Sequence, residues 1–295
     1  MKTHFIYTVL FFSTFSIAQI SGNQVTGNSN YGNNYNATST SNKTSINENN
    51  LIVQVKILLN QKADSFTFVI GTNQEAETVA SCNSLINKRI DGFINDIQKI
   101  KVKKEDIYVD FISQTKIYDY SLEDNTAEQF QKGFEIKKNI IITSKNVNTI
   151  EDLITIASKY EIHDIIKVDY ANDDIWSKHS YLFDEALKIG EIKKNQYLKY
   201  FEKRTVGTPN ASEDFLIIFP KTQYKKYQAF ENSEIETNYR NNKNFVKKLA
   251  RKNTTYYYDS VNSSDFDKII NQSGAEIGIQ YILTINITYK LDTAL

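Results

Sequence analysis

The chain has 295 residues, with 35 basic against 35 acidic side chains and a formal net charge of zero. That balance argues against a duplex-binding surface, which draws its affinity from a basic excess, so nucleic acid is not an expected partner. Cys82 is the single cysteine, which excludes an intrachain disulfide and leaves the fold to its core or to assembly.

The first eighteen residues have the layout of a secretory signal peptide. Lys2 gives a cationic start, Phe5 to Ile17 is mostly apolar, and Ser16-Ile17-Ala18 sets small residues before a cut. The apolar run is shorter than the ~20 residues of a membrane span, and an uncleaved anchor is the alternative. Residues 1–18 are therefore read as signal, and the mature chain as starting at Gln19. No later stretch is long and apolar enough to span a membrane, so none is expected in the mature chain. Residues 19–50, rich in Asn, Ser, Thr and Gly, read as a flexible leader that buries too little apolar surface to order itself. Asn36-Ala37-Thr38 and Asn42-Lys43-Thr44 within it match the glycosylation acceptor pattern.

From Leu51 onward the pattern is α+β. Leu51 to Leu59 and Ser65 to Ile70 read as strands, joined as a hairpin by Gln61 to Asp64. Val79, Cys82, Ile86, Ile90, Phe93, Ile97 and Ile100 then recur at steps of three and four, predicting a long amphipathic helix. Two strand-like runs follow, Ile107 to Ser113 and Thr115 to Tyr120, then a polar connection over Asn125 to Gln131. Phe134, Ile136, Ile140 and Ile142 predict a strand. A short helix opens at Asn148 or Thr149 with Leu153, Ile154, Ala157 and Tyr160 inward. Ile165 to Tyr170 is the next strand, and Trp176 to about Arg204 a second long helix carrying Leu182, Phe183, Ala186, Ile189 and Tyr197 inward.

Phe215 to Phe219 reads as a buried strand ended by Pro220. Tyr224 to Tyr258 is rich in Tyr, Asn and Lys, with a short helix predicted around Phe245 to Ala250. The last pattern is the cleanest: Ile277, Ile279, Tyr281, Leu283, Ile285, Ile287, Tyr289 and Leu291 alternate with mostly polar residues. A strand of roughly 45 Å, at about 3.3 Å per residue, suggests a ribbon or an assembly surface. The fold class is thus α+β, a mostly antiparallel sheet packed with two long helices and one short one and ending in a long strand. Residues 51–295 form one such domain, with subdomains 51–205 and 206–295 as the alternative division.

Chemistry-bearing clusters are sparse. His163 and His179 remain after signal cleavage, with no closely spaced partner of metal-ligand type, and read as ordinary surface histidines. Asp173-Asp174 fits a helix N-cap and Glu151-Asp152 the positive end of a helix dipole. Cys82 falls on the apolar stripe of its helix and reads as a buried, inert thiol. Tyr256-Tyr257-Tyr258 could stack on a sugar or peptide, but successive residues of a strand divide between core and surface. No catalytic, cofactor-binding or metal-ligating residue is assigned, and no cofactor is expected.

The order of elements from Leu51 resembles the SIMPL-domain family (DUF541). The matching features are the Ala63-Asp64-Ser65 strand entry and the junction Lys104-Glu105-Asp106-Ile107 after the long helix. They continue with the strand Phe134 to Thr143, the Ile162 to Tyr170 segment, the helix from Glu185-Ala186 to Lys194, and the closing strand Ile279 to Leu291. Departures are Lys in place of a family Gly before the junction, and Tyr224 to Tyr258, which has no counterpart. The leader and the low Gly and Pro content resemble a Bacteroidetes-type branch. The resemblance implies a periplasmic or outer-membrane-associated protein of the cell envelope, linked to oxidative-stress defence or surface antigens, and a homo-oligomer. The expectation is an exported, non-enzymatic protein of envelope maintenance or stress tolerance, acting through self-assembly. Its envelope partner or small ligand is not identified. The alternative is a ligand-binding module built on Tyr-rich residues 224–258.

Overall fold

The computed structural model describes residues 44–123, 126–227, 230–237, 245–251, 255–272 and 277–292. Residues 1–43, which hold the expected signal and most of the expected leader with Asn36 and Asn42, lie outside the described residues, as does Asn125. Two compact units are distinguished: the larger holds the described residues up to 224 and from 258 onward, the smaller those of 225–257.

In the larger unit, β1 (Ser45–Ile46) and β2 (Asn50–Gln61) open one sheet. Leu51, Val53, Val55, Ile57 and Leu59 of β2 all turn inward, as their alternation requires. β3 (Ser65–Ala76) opens another sheet and is followed by α1 (Val79–Lys99). The Thr78 hydroxyl caps α1 by accepting from the Ser81 amide at 3.1 Å. Cys82, Ile86, Ile90, Phe93 and Ile97 form its buried stripe. β4 (Ile107–Glu123) and β5 (Thr126–Ser144) are long partners, and α2 (Thr149–Ser158) leads to β6 (Asp164–Ala171).

These last six elements run β-α-β-β-α-β, and their strands lie in the order β4-β5-β3-β6 with every neighbour antiparallel. That is the split βαβ, or ferredoxin-like, arrangement. Phe66, Phe68, Ile70, Ile136, Ile140 and Ile142 of the sheet pack against α1 and α2. Gly92 is required where the helices meet, since a Cβ there would stand 2.3 Å from Cε1 of Tyr160.

α3 (Ile175–Tyr200) begins at Asp174, whose carboxylate accepts from the Ser177 amide at 2.9 Å, the cap foreseen for this pair of acids. β7 (Thr205–Ile218) follows, ended by a 3₁₀ turn over Pro220–Thr222. β12 (Lys268–Ile270) and β13 (Ile279–Leu291) complete the first sheet after the segment from 224 to 258. The sheet order is β1-β2-β13-β7, with β12 parallel to β2 on the same edge as β1. Leu182 and Ala186 of α3 pack on Val55, Leu283, Ile285 and their neighbours to form the second core.

The segment from 224 to 258 holds β8 (Tyr224–Tyr227), which pairs with β11 (Thr255–Tyr258), and β9 (Phe230–Thr237), which pairs antiparallel with β10 (Phe245–Arg251).

The α+β class, the two long helices, the short helix and the long closing strand are as expected. Five local expectations are corrected. β2 and β3 are not a hairpin, because they belong to different sheets. Asp64, between them, is instead held by the Asn172 side chain at 3.0 Å and the Asp173 amide at 3.1 Å. The runs 107–113 and 115–120 are one strand, continuous through a bulge between Phe111 and Ser113. Residues 126–131 are strand rather than a polar connection, because they pair with Tyr118 to Glu123. Phe245 to Ala250 is strand rather than helix, paired with 230–237. The long β13 is no open assembly edge, since β2 occupies one side and β7 the other. Among the described residues no helix is long and apolar enough to cross a membrane, which says nothing of strands.

Candidate functional site

His163 is exposed on the turn between α2 and β6, as expected. His179 is not an ordinary surface residue. From the first turns of α3 its ring stacks on Trp176 at 5.2 Å and lies edge-on to Phe215 at 5.0 Å, and its Nε2 meets Glu213 Oε1 of β7 at 3.1 Å. An acceptor at Nε2 assigns the proton of the neutral ring to that nitrogen. Nδ1 is buried without a hydrogen-bond partner among the described residues. The pair fastens α3 to β7. Cys82 is buried as its stripe implied: the thiol points at the Gln74 carbonyl oxygen at 2.8 Å, and burial raises its pKa. Among the described residues no group of three or more His, Cys, Asp or Glu is placed to hold a metal ion.

The best-ordered charges serve the scaffold. Glu185 takes Lys188 and Lys268, each at 2.6 Å, and these hydrogen bonds lower its pKa to about 2. Lys193 reaches Asp267 at 2.5 Å and the Gln54 carbonyl at 2.8 Å. Together they lash the 267–270 segment to α3 beside β2.

A cavity of 130 Å³ opens where β6 passes the turn after β7, lined by Val168, Asp169, Tyr170, Phe219, Pro220 and Lys221. Lys167 binds Asp169 Oδ2 at 2.5 Å and, with help from Lys221, holds this carboxyl below its ordinary pKa. Oδ1 is buried without a hydrogen-bond donor: Lys221 Nζ stands 3.6 Å away, too far for a hydrogen bond. Tyr170 closes one side, with its pKa raised by burial and then by Tyr224 and Tyr258. Tyr224 and Tyr258 meet edge-on at 5.9 Å, so the aromatic residues at the two ends of the Tyr-rich segment are spent on each other.

The second unusual surface is the distal part of the β4–β5 pair. β3 ends at Ala76 opposite Phe134, and beyond it Ile117 to Glu123 and Thr126 to Gly133 pair with one another alone among the described residues. Gly133 lets this ribbon leave the sheet, because a Cβ there would stand 2.4 Å from the Ala76 carbonyl oxygen. Tyr118, Tyr120 and Leu122 follow at every second position and share one face. Leu122 is 81% exposed and Tyr120 63%. Among the described residues nothing covers them, although a two-stranded ribbon in water is marginal by itself.

The alternation Tyr118, Tyr120, Leu122 was present in the sequence, but the polar look of the partner strand hid the pairing. Asp169 and Lys221 carry no sequence signal, because only the fold brings them together. No family model matches the chain, and no curated protein matches it.

Proposed function

We propose that this is an exported, non-enzymatic protein of the cell envelope that acts by self-assembly, in envelope maintenance or stress tolerance. Membership of the SIMPL-domain family is part of the same proposal and rests on the order of elements and junction residues given above. The observation that carries the reading is the naked apolar face of the β4–β5 ribbon, Tyr118, Tyr120 and Leu122. Contiguous exposed aromatic and aliphatic side chains of this kind mark interaction surfaces. Light scattering on Gln19–Leu295 across a range of concentrations tests it. A discrete oligomer is expected, together with oxidant or detergent sensitivity when the gene is deleted. A monomer at every concentration would end the self-assembly reading.

A second reading, a periplasmic or surface ligand-binding module on residues 224–258, is favoured by Tyr256, which is 64% exposed. Glycan and peptide panels compared between the parent and Tyr256→Ala test it, and equal, flat responses would dismiss it.

A further inference from the structure

We propose that the outer edge of β4 pairs with the same edge of a second copy, as an antiparallel ladder over Ser113 to Glu123 centred on Tyr118. This contact rests on the self-assembly reading and names the strand that would carry it.

The edges of the two larger sheets are not alike. On the outer side of β2, β1 covers Leu51 and Ile52, and β12 covers Ile57 to Leu59. Between them Lys193 donates to the Gln54 carbonyl at 2.8 Å and Asp267 accepts from the Lys56 amide at 2.9 Å. β7 carries Pro209, which has no amide to give a neighbour, and Gly207 at a φ of +69°. β6 has only eight residues, and the turn at Phe219 to Lys221 stands beside Val168 to Tyr170. β4 differs from all of these. It has seventeen residues without Pro or Gly, and among the described residues no strand lies outside it. Its bulge between Phe111 and Ser113 leaves an unbulged run from Ser113 to Glu123. Within that run the Tyr120 amide donates to the Asp119 carboxylate at 2.9 Å, a local substitute that a partner strand would replace.

Self-complementarity points to a second copy as the occupant. A two-fold axis through Tyr118 uses the whole run and sets Tyr118 against its own copy, Lys116 against Tyr120 and Thr115 against Ser121. No like charges stand directly opposite in this register, whereas an axis through Lys116 or Asp119 would oppose two of them. The two Asp119 carboxylates lie on a diagonal, and each keeps Lys132 at 3.7 Å. Each ribbon, marginal by itself, then lies along the partner's β4 near the place where β5 and β3 back it. Tyr118 and Tyr120 of both copies become neighbours on one face. A ladder of this length forms about ten hydrogen bonds, the number that a typical protein interface carries. Because the same edge serves both copies, the contact closes a dimer.

The test uses the mature chain, Gln19–Leu295, in light scattering and oxidative crosslinking. In Tyr118→Cys the two thiols face each other across the axis, at a Cα spacing that a disulfide spans, so a disulfide-linked dimer is expected. Thr115→Cys and Ser121→Cys are each expected to stay unlinked alone and to link when mixed. Cys82 is buried and does not compete. Tyr118→Lys, which opposes two like charges at the axis, is expected to weaken association roughly tenfold or more. Tyr200→Lys, which replaces an exposed ring on α3, is expected to stay within about twofold of the parent. Matching circular dichroism spectra confirm that these exposed substitutions leave the fold intact. A parent that is monomeric at every concentration defeats the self-assembly reading and this contact with it. A parent oligomer that survives Tyr118→Lys, or that is lost only when residues 19–43 are removed, overturns the ladder alone.

Discussion

β4 and β5 are the same two strands at both ends, yet they live in two environments. Near Ile107 and Ile142 they lie in a four-stranded sheet under α1, and Ile136, Ile140 and Ile142 are almost completely buried. Near Leu122 and Ala127 they have only each other, and residues 118–122 and 127–132 are exposed. Both ends spend apolar residues, but only the first collects the ~25 cal/mol per Å² that burial returns. What differs is the presence of a third strand and a helix. The body is a core, and the ribbon is an apolar face that nothing among the described residues covers.

Breaking the body should be costly. Phe93→Ala opens a cavity under a fully buried ring and is expected to lower unfolding free energy by ~3–5 kcal/mol in urea titration. Tyr118→Ala in the ribbon, studied at a concentration where any assembly has dissociated, should cost less than about 1 kcal/mol. Equal losses would abolish the distinction between the two ends.

Gly92→Ala forces a methyl group into Tyr160 and should cost ~1–3 kcal/mol. Adding Tyr160→Ala should make the double variant less destabilised than the sum of the two single changes. Strict additivity would mean that α1 and α2 do not meet at this point. Asp174→Ala should remove about 1 kcal/mol by uncapping α3, a loss confined to the helix on the other sheet.

The smallest effect concerns acid. Glu185 has a folded pKa lowered from 4.5 to about 2, so its contribution is present above pH 4.5 and is lost as pH falls toward 2. Melting curves of Glu185→Gln should therefore differ from the parent above pH 4.5 and converge with it near pH 2. A constant offset across that window would refute the assignment.

Much of this fold was legible because single elements obey a single period. The α1 stripe and the alternation of β13 appear in the structure as the residues dictate. Misreadings came where partner choice overrides local pattern. Apolar runs flanking a short polar link imitate a hairpin, but the inward residues of β2 face α3 while those of β3 face α1, so the chain crosses between sheets. Phe245, Val246, Leu249 and Ala250 have helical spacing, yet pairing with 230–237 makes them strand. Candidate sites were less legible still. His179 owes its setting to Glu213 and Phe215 from a distant strand, and the unpaired oxygen of Asp169 is visible only when the cavity is built.

The central place of β13 has a consequence for when the molecule can fold. The ferredoxin-like sheet closes within residues 65–171, so its pairings are available as soon as that stretch has been made. The other sheet must wait, because Gln54 and Asn286, which hydrogen-bond across β2 and β13, stand 232 positions apart. Until β13 arrives, the apolar row of β2 has no central neighbour. Contacts of such separation form slowly, since loop closure precedes any return from pairing. The molecule thus pairs its strands over two ranges, one sheet complete within residues 65–171 and the other only once β13 is present.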